Sequence, residues 1–174
     1  NQIGNTTTLI DLVNSVTDAD GKGIAGVNGT FFAAYSDMQP LGTLIKDGEV
    51  VHMANTGSTF SFDYLGGISV DPLYINISGG INNQWEWPNN WYAWNINHFY
   101  TDPSAVMIFD INYNGPRPEH TFTSIEVDKN SVTKIVKGGF HIPSEGFLIL
   151  TNDNTMIDKF QVGIPVDYKT TYFE

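Results

Sequence analysis

The 174 residues suffice for one domain, which at this length removes roughly 70% of its unfolded surface from water. A net charge of −11 with no Lys/Arg cluster makes phosphate backbones and anionic lipid poor partners, and the absence of cysteine excludes disulfides and thiolate metal sites. Hydrophobic residues make up 41%, aromatics 13% and charged residues only 16%, with Asn, Thr, Ser and Gly filling the gap; that mix suits a β-rich fold with many turns and suits a disordered chain poorly.

In chain order, Thr6-Thr7-Thr8 precede Leu9, Ile10, Leu12, Val13 and Val16, which predicts a helix from about Thr8 to Val16 with a threonine N-cap. The loop Thr17 to Gly23 resembles a calcium loop but lacks the third acidic ligand and the closing Glu, so it reads as solvated. Ile24 to Asn28 reads as a buried strand ending in a sharp Asn28-Gly29 turn, since both residues tolerate positive φ. Leu41 to Lys46 and Glu49 to Ala54 form a hairpin around Asp47-Gly48. Ser58 to Tyr64 alternates Phe60, Phe62 and Tyr64 on one face. Pro72 to Ser78 alternates Leu73, Ile75 and Ile77 and is expected to end at Gly79-Gly80. Ala105 to Ile111 is a nearly continuous apolar run, the pattern of a strand buried on both faces. Thr121 to Val127 and Ser131 to Val136 flank a second hairpin turn, Asp128-Lys129-Asn130. Gly146 to Thr151 is a further buried strand, and Ile157 to Val166 another, with Pro165 confining its end to an edge. The class is therefore α+β, mainly antiparallel sheet with one N-terminal helix, without internal repeat or linker. No run of about 18 apolar residues is present, so no helical membrane span is expected. The chain starts at Asn1 without a signal-peptide h-region, which reads as a trimmed or mature piece.

All four tryptophans, Trp85, Trp87, Trp91 and Trp94, fall within ten residues, interleaved with asparagines. Flat rings stack on sugar faces and amides bond hydroxyls, so Trp85, Trp87 and Trp91 are candidate glycan contacts. Trp94 is the expected core residue of the four, and the competing reading is an aromatic loop that closes over the sheet or meets another subunit. Glu86, Asp102, Asp110 and Glu119 are the carboxylates near this segment; a glycosidase needs two about 5 to 10 Å apart, and the sequence does not select them. Arg117, in Gly115-Pro116-Arg117-Pro118, suits bidentate binding of a phosphodiester, against the plainer reading of a surface loop. His52, His98, His120 and His141 have no metal-ligand spacing, so no metal or other cofactor is expected. Asn5-Thr6-Thr7, Asn28-Gly29-Thr30 and Asn76-Ile77-Ser78 match the glycosylation sequon, as chance allows in a chain rich in Asn and Thr.

Three pieces in order, Asn28-Gly29-Thr30-Phe31-Phe32, Pro40-Leu41-Gly42-Thr43-Leu44-Ile45 and Lys46-Asp47-Gly48-Glu49-Val50-Val51, resemble the opening signature of the phosphodiester glycosidase family. Weaker similarity continues through Trp94 to Asn97, Ala105 to Asn114 and Ile142 to Phe147. The family's later motifs, an Arg-Thr strand and an Asp-Gly-Gly-Gly-Ser-like stretch, do not occur in these residues. The resemblance implies that residues 1–174 are the N-terminal portion of such a domain, from a hydrolase that releases a sugar from a sugar-1-phosphodiester in a secreted or cell-surface bacterial glycan. It implies Asn28 as a catalytic residue at a strand end and Thr30 and Arg117 as substrate contacts. It also implies that the acid/base groups lie outside this stretch, which would then be inactive alone and would associate through an unpaired sheet edge near its C-terminus. The alternative is a non-catalytic glycan-binding or interaction module built on Trp85 to Trp94.

Overall fold

The structure, a computed structural model, describes residues 7–15, 21–22, 29–35, 38–53 and 58–173. The expected strand Ile24 to Asn28, and with it Asn28, lies outside these residues, as does most of the loop at 17–23.

Helix α1 spans Leu9–Ser15, and the Thr8 hydroxyl accepts from the Asp11 amide (3.1 Å), as the N-cap reading requires. None of its residues is buried. The first predicted hairpin forms as β1 (Leu44–Lys46) and β2 (Glu49–His52), shorter than expected at its outer ends. Strands β3 (Ser58–Phe62) and β4 (Ile68–Pro72) make a hairpin on which Phe60, Phe62, Ile68 and Val70 share one exposed face.

The largest correction concerns Gly79-Gly80, expected to end a strand. Instead β5 (Tyr74–Ile81) runs straight through them. Gly79 pairs with Trp91 in β6 (Asn90–Ala93), and the indole lies across it, within 1.9 Å of where a Cβ would stand. Gly80 makes the same room for Trp85, at 2.9 Å from its ring. These glycines are seats for two tryptophans rather than breakers. This also reverses the expected roles of two rings: Trp91 is in the core at 3% exposure, edge-on to Phe160, and Trp94 is 49% exposed.

After the short β7 (Asn95–Ile96), β8 (Val106–Asp110), β9 (Thr123–Asp128), β10 (Ser131–Lys137) and β11 (Gly146–Thr151) follow their predicted positions closely. The β9–β10 turn places Lys129 and Asn130 at φ 48° and 59°, the left-handed pair that a two-residue hairpin turn needs. The strand expected over Ile157 to Val166 does not form. A single helical turn, α2 (Asn154–Ile157), is capped by the Asp153 carboxylate on the amides of Thr155 and Met156. Turns then lead to β12 (Val166–Phe173), so Pro165 precedes a strand instead of ending one.

The five-stranded sheet has the order β10-β9-β11-β8-β7, antiparallel except for the parallel pair β7–β8. The three-stranded sheet β12-β5-β6 leaves β12 as an edge strand near the C-terminus. Between the sheets lies one core, with Ile75, Ile77 and Trp91 on one side and Ile108, Ile125 and Ile149 on the other. A second core, Met107, Phe109, Phe122, Leu148 and Leu150, fills the opposite face of the five-stranded sheet under Phe99, Tyr100, Phe140 and Ile142. The fold is α+β and mainly antiparallel sheet, and among the described residues no helix is long and apolar enough to cross a membrane.

If Gly79 is a seat for Trp91, Gly79→Ala overpacks the core. We expect a loss of about 3 kcal/mol, which lowers the melting temperature by roughly 10 °C for a chain of this size. An unchanged melting curve would show that the indole has room to move aside.

Candidate functional site

The loops over the second core carry the molecule's polar side chains of interest. The parallel β7–β8 pair brings two strand ends to one end of the sheet, and there Asn97 and Asp110 bond reciprocally. The Asn97 Nδ2 donates to Asp110 Oδ1 (2.7 Å) and to the Val51 carbonyl (2.9 Å), while the Asp110 amide donates to Asn97 Oδ1 (2.9 Å). Asp110 also accepts from the Asn112 amide (2.9 Å). Its carboxylate is thus spent on holding strand ends together, and Asp102 is likewise occupied by the Ser104 amide.

The quoted signature pieces come together beside this latch. Phe32 and Pro40 bridge, and the Leu41 amide donates to the Phe31 carbonyl (2.8 Å). Thr30 packs where a Cβ on Gly42 would stand, its Oγ1 2.7 Å away, so the side chain needs glycine opposite it. The Gly42 carbonyl in turn bonds His52 Nδ1 (2.9 Å), and His52 Nε2 meets His98 Nδ1 (3.0 Å). Because a carbonyl only accepts, Nδ1 of His52 carries a proton. His52 is fully buried, and buried Gln39 accepts from the Phe99 amide (3.0 Å). Thr30 is therefore tied to the polar cluster, and its own hydroxyl donates to the Phe31 carbonyl (3.1 Å).

Arg117 stands elsewhere, on a cleft of about 320 Å³ whose other lining residues are Ile111, Tyr113 to Gly115 and Phe140 to Ser144. This follows the C-terminal end of β8, where Tyr113 folds back and donates to the Pro116 carbonyl (2.7 Å), shaping the Arg117 loop. Arg117 is the chain's single arginine, and among the described residues it forms no ion pair. Tyr113, Asn114, His141 and Ser144 share the cleft. Behind it, Glu126 accepts from His141 Nδ1 (2.9 Å) and from Lys134 Nζ (3.3 Å), with only 10% of its side chain exposed. Sequence reasoning missed this pair because it tested His141 only for metal spacing. The available signal was a lone carboxylate inside the otherwise uncharged run Thr123 to Val127.

The tryptophans do not form one platform. Trp87 is 80% exposed with Lys159 Nζ 5.3 Å from its ring, Trp85 is half-buried under Lys169 (4.7 Å), and Trp91 is internal. The structure thus separates the predicted residues into Thr30 with the histidines, Arg117 in the cleft, and Trp85 with Trp87 on the outer sheet.

No family model matches the chain, and no curated protein matches it. Its fold is similar to the crystal structure of a hypothetical protein from Synechocystis, with a TM-score of 0.80 over 98% of this chain at 16% identity. A candidate exported protein from Burkholderia pseudomallei matches with a TM-score of 0.62 over 84% at 15% identity. The chain covers 32% and 37% of those proteins respectively, and identities this low show the fold alone.

One histidine has a direct thermodynamic consequence. His120 sits against Phe99, Phe122 and Phe140, and among the described residues neither ring nitrogen makes a well-aligned hydrogen bond, although the Gly139 and Phe122 backbones lie close to the ring. Burial lowers its pKa below the ordinary 6.5, and the backbones of Gly139 and Phe122 offset part of that. The unfolded chain therefore binds this proton more readily than the folded one. The stability contributed by the neutral ring is complete above pH 6.5 and is lost as the pH falls from there toward the folded value. We expect the melting temperature to fall more steeply between pH 7 and pH 5 in the wild type than in His120→Phe; parallel pH profiles would contradict this.

Proposed function

We propose that this chain forms the phosphate-binding portion of a hydrolase that releases a sugar from a sugar-1-phosphodiester in a bacterial surface glycan. The observation that carries this reading is Arg117: the only guanidinium of a strongly acidic chain stands, among the described residues, without an ion pair on the wall of a ligand-sized cleft. A delocalised, always-charged fork of donors fits a phosphodiester, which keeps its negative charge at every physiological pH. The cleft's other polar side chains, Asn114 and Ser144, suit sugar hydroxyls. The sequence resemblance points to the same substrate class, and the Burkholderia neighbour's description as exported fits a surface glycan.

The alternative, a non-catalytic glycan-binding module, is favoured by a separate observation. Trp87, Tyr92 and Trp94 are all about half exposed or more, and none of them lines the Arg117 cleft.

Calorimetric titration with a glycosyl-1-phosphodiester distinguishes the two. Arg117→Gln should weaken binding roughly 10- to 150-fold, the loss of a charge-assisted hydrogen bond, while Trp87→Ala should leave it unchanged. The opposite pattern would favour the aromatic module and remove Arg117 from the account.

A further inference from the structure

The Glu126–His141 pair gives the cleft a second polar group, and its chemistry is fixed more tightly than that of Arg117. Glu126 projects from β9 on the face of the second core, where its register partner is Leu148. Its carboxylate is almost enclosed, and its oxygens are divided: Oε1 accepts from Lys134 Nζ (3.3 Å), and Oε2 accepts from His141 Nδ1 (2.9 Å). A carboxylate only accepts. The Nδ1 of His141 must therefore carry a proton. In the neutral ring Nε2 is then a lone-pair acceptor, on a side chain that is 65% exposed and lines the cleft with Arg117. A half-exposed histidine without such a partner would populate both tautomers and many rotamers. Here the buried carboxylate selects one of each, which is how second-row carboxylates orient functional imidazoles.

An acceptor at this place does not suit the phosphoryl group, whose oxygens are also acceptors. It suits a hydroxyl donor beside it. Resting on the phosphodiester reading above, we propose that Glu126 fixes His141 so that Nε2 accepts a hydrogen bond from a hydroxyl of the sugar attached to the phosphate that Arg117 holds. His141 is then the specificity contact and Glu126 its positioning residue. Together they select glycosyl phosphodiesters over diesters that lack a sugar.

The test uses this chain at pH 8 and two probes: methyl α-D-glucosyl phosphate and dimethyl phosphate. The wild type should bind the glucosyl diester about 10-fold more tightly, the discrimination expected of one hydroxyl hydrogen bond. His141→Phe should erase that preference and leave dimethyl phosphate affinity unchanged. Glu126→Gln should reduce the preference, and long-range 1H–15N spectra should show the wild-type ring protonated at Nδ1 and the variant's ring shared between tautomers. A preference that survives His141→Phe, equal affinity of the wild type for both probes, or a wild-type proton on Nε2 would overturn the inference while leaving the Arg117 reading intact. Failure to bind either probe would overturn both.

Discussion

The central strands β8 and β11 have no face that can be shown to water. Met107, Ile108, Phe109, Leu148, Ile149 and Leu150 are all fully buried, and alternate residues point to opposite sides of the sheet. Strands of this kind demand cover on both faces, because each exposed large apolar side chain forfeits about 1.5 to 3 kcal/mol. One face is covered by a second sheet, which requires Gly79 so that Trp91 can lie across β5 on the core side. The other face has no sheet among the described residues. It is covered by the segments around Phe99, Tyr113 and Phe140, which also bring polar groups over an apolar floor.

That difference in cover accounts for where the candidate chemistry lies. Regular strands satisfy their own backbone and leave side chains in fixed alternation, whereas loops over a core must place polar groups wherever the chain turns. The one parallel pair among the described residues, β7–β8, then gathers two strand ends at one edge of this loop-covered face, closed by the Asn97–Asp110 latch. The signature residues around Thr30 and Gly42 dock beside the latch through His52, and the Arg117 cleft opens just past the end of β8. Two chemically distinct groups of side chains thus share one face of one sheet.

Much of the fold was legible because two-sided burial writes an unmistakable pattern. The apolar runs over β8 and β11 and the Asp128-Lys129-Asn130 turn read correctly from residue types alone. Errors arose where one residue served another far along the chain. Gly79-Gly80 reads locally as a breaker, and only Trp85 and Trp91 reveal the glycines as seats. Trp91 and Trp94 exchange roles because the alternation of β6 cannot be read without its pairing to β5. The stretch before β12 looks apolar enough for a strand, yet Asp153 caps a helical turn there. Of the site, Arg117 was visible as a rare residue type. Glu126 and His141 were not, because their meaning lies in a 2.9 Å contact between residues fifteen positions apart.

The account turns on whether the Arg117 cleft holds a phosphodiester, and the composition of the chain offers a clean probe. With one arginine in 174 residues, a 15N-labelled sample gives a single arginine Nε–H signal that needs no assignment. On titration with methyl α-D-glucosyl phosphate, that signal should shift in a saturable way, together with the backbone amides of Tyr113, Asn114, Gly115, His141 and Ser144. A signal that stays fixed while amides of the tryptophan segment move would contradict the account and place the ligand on the outer sheet instead.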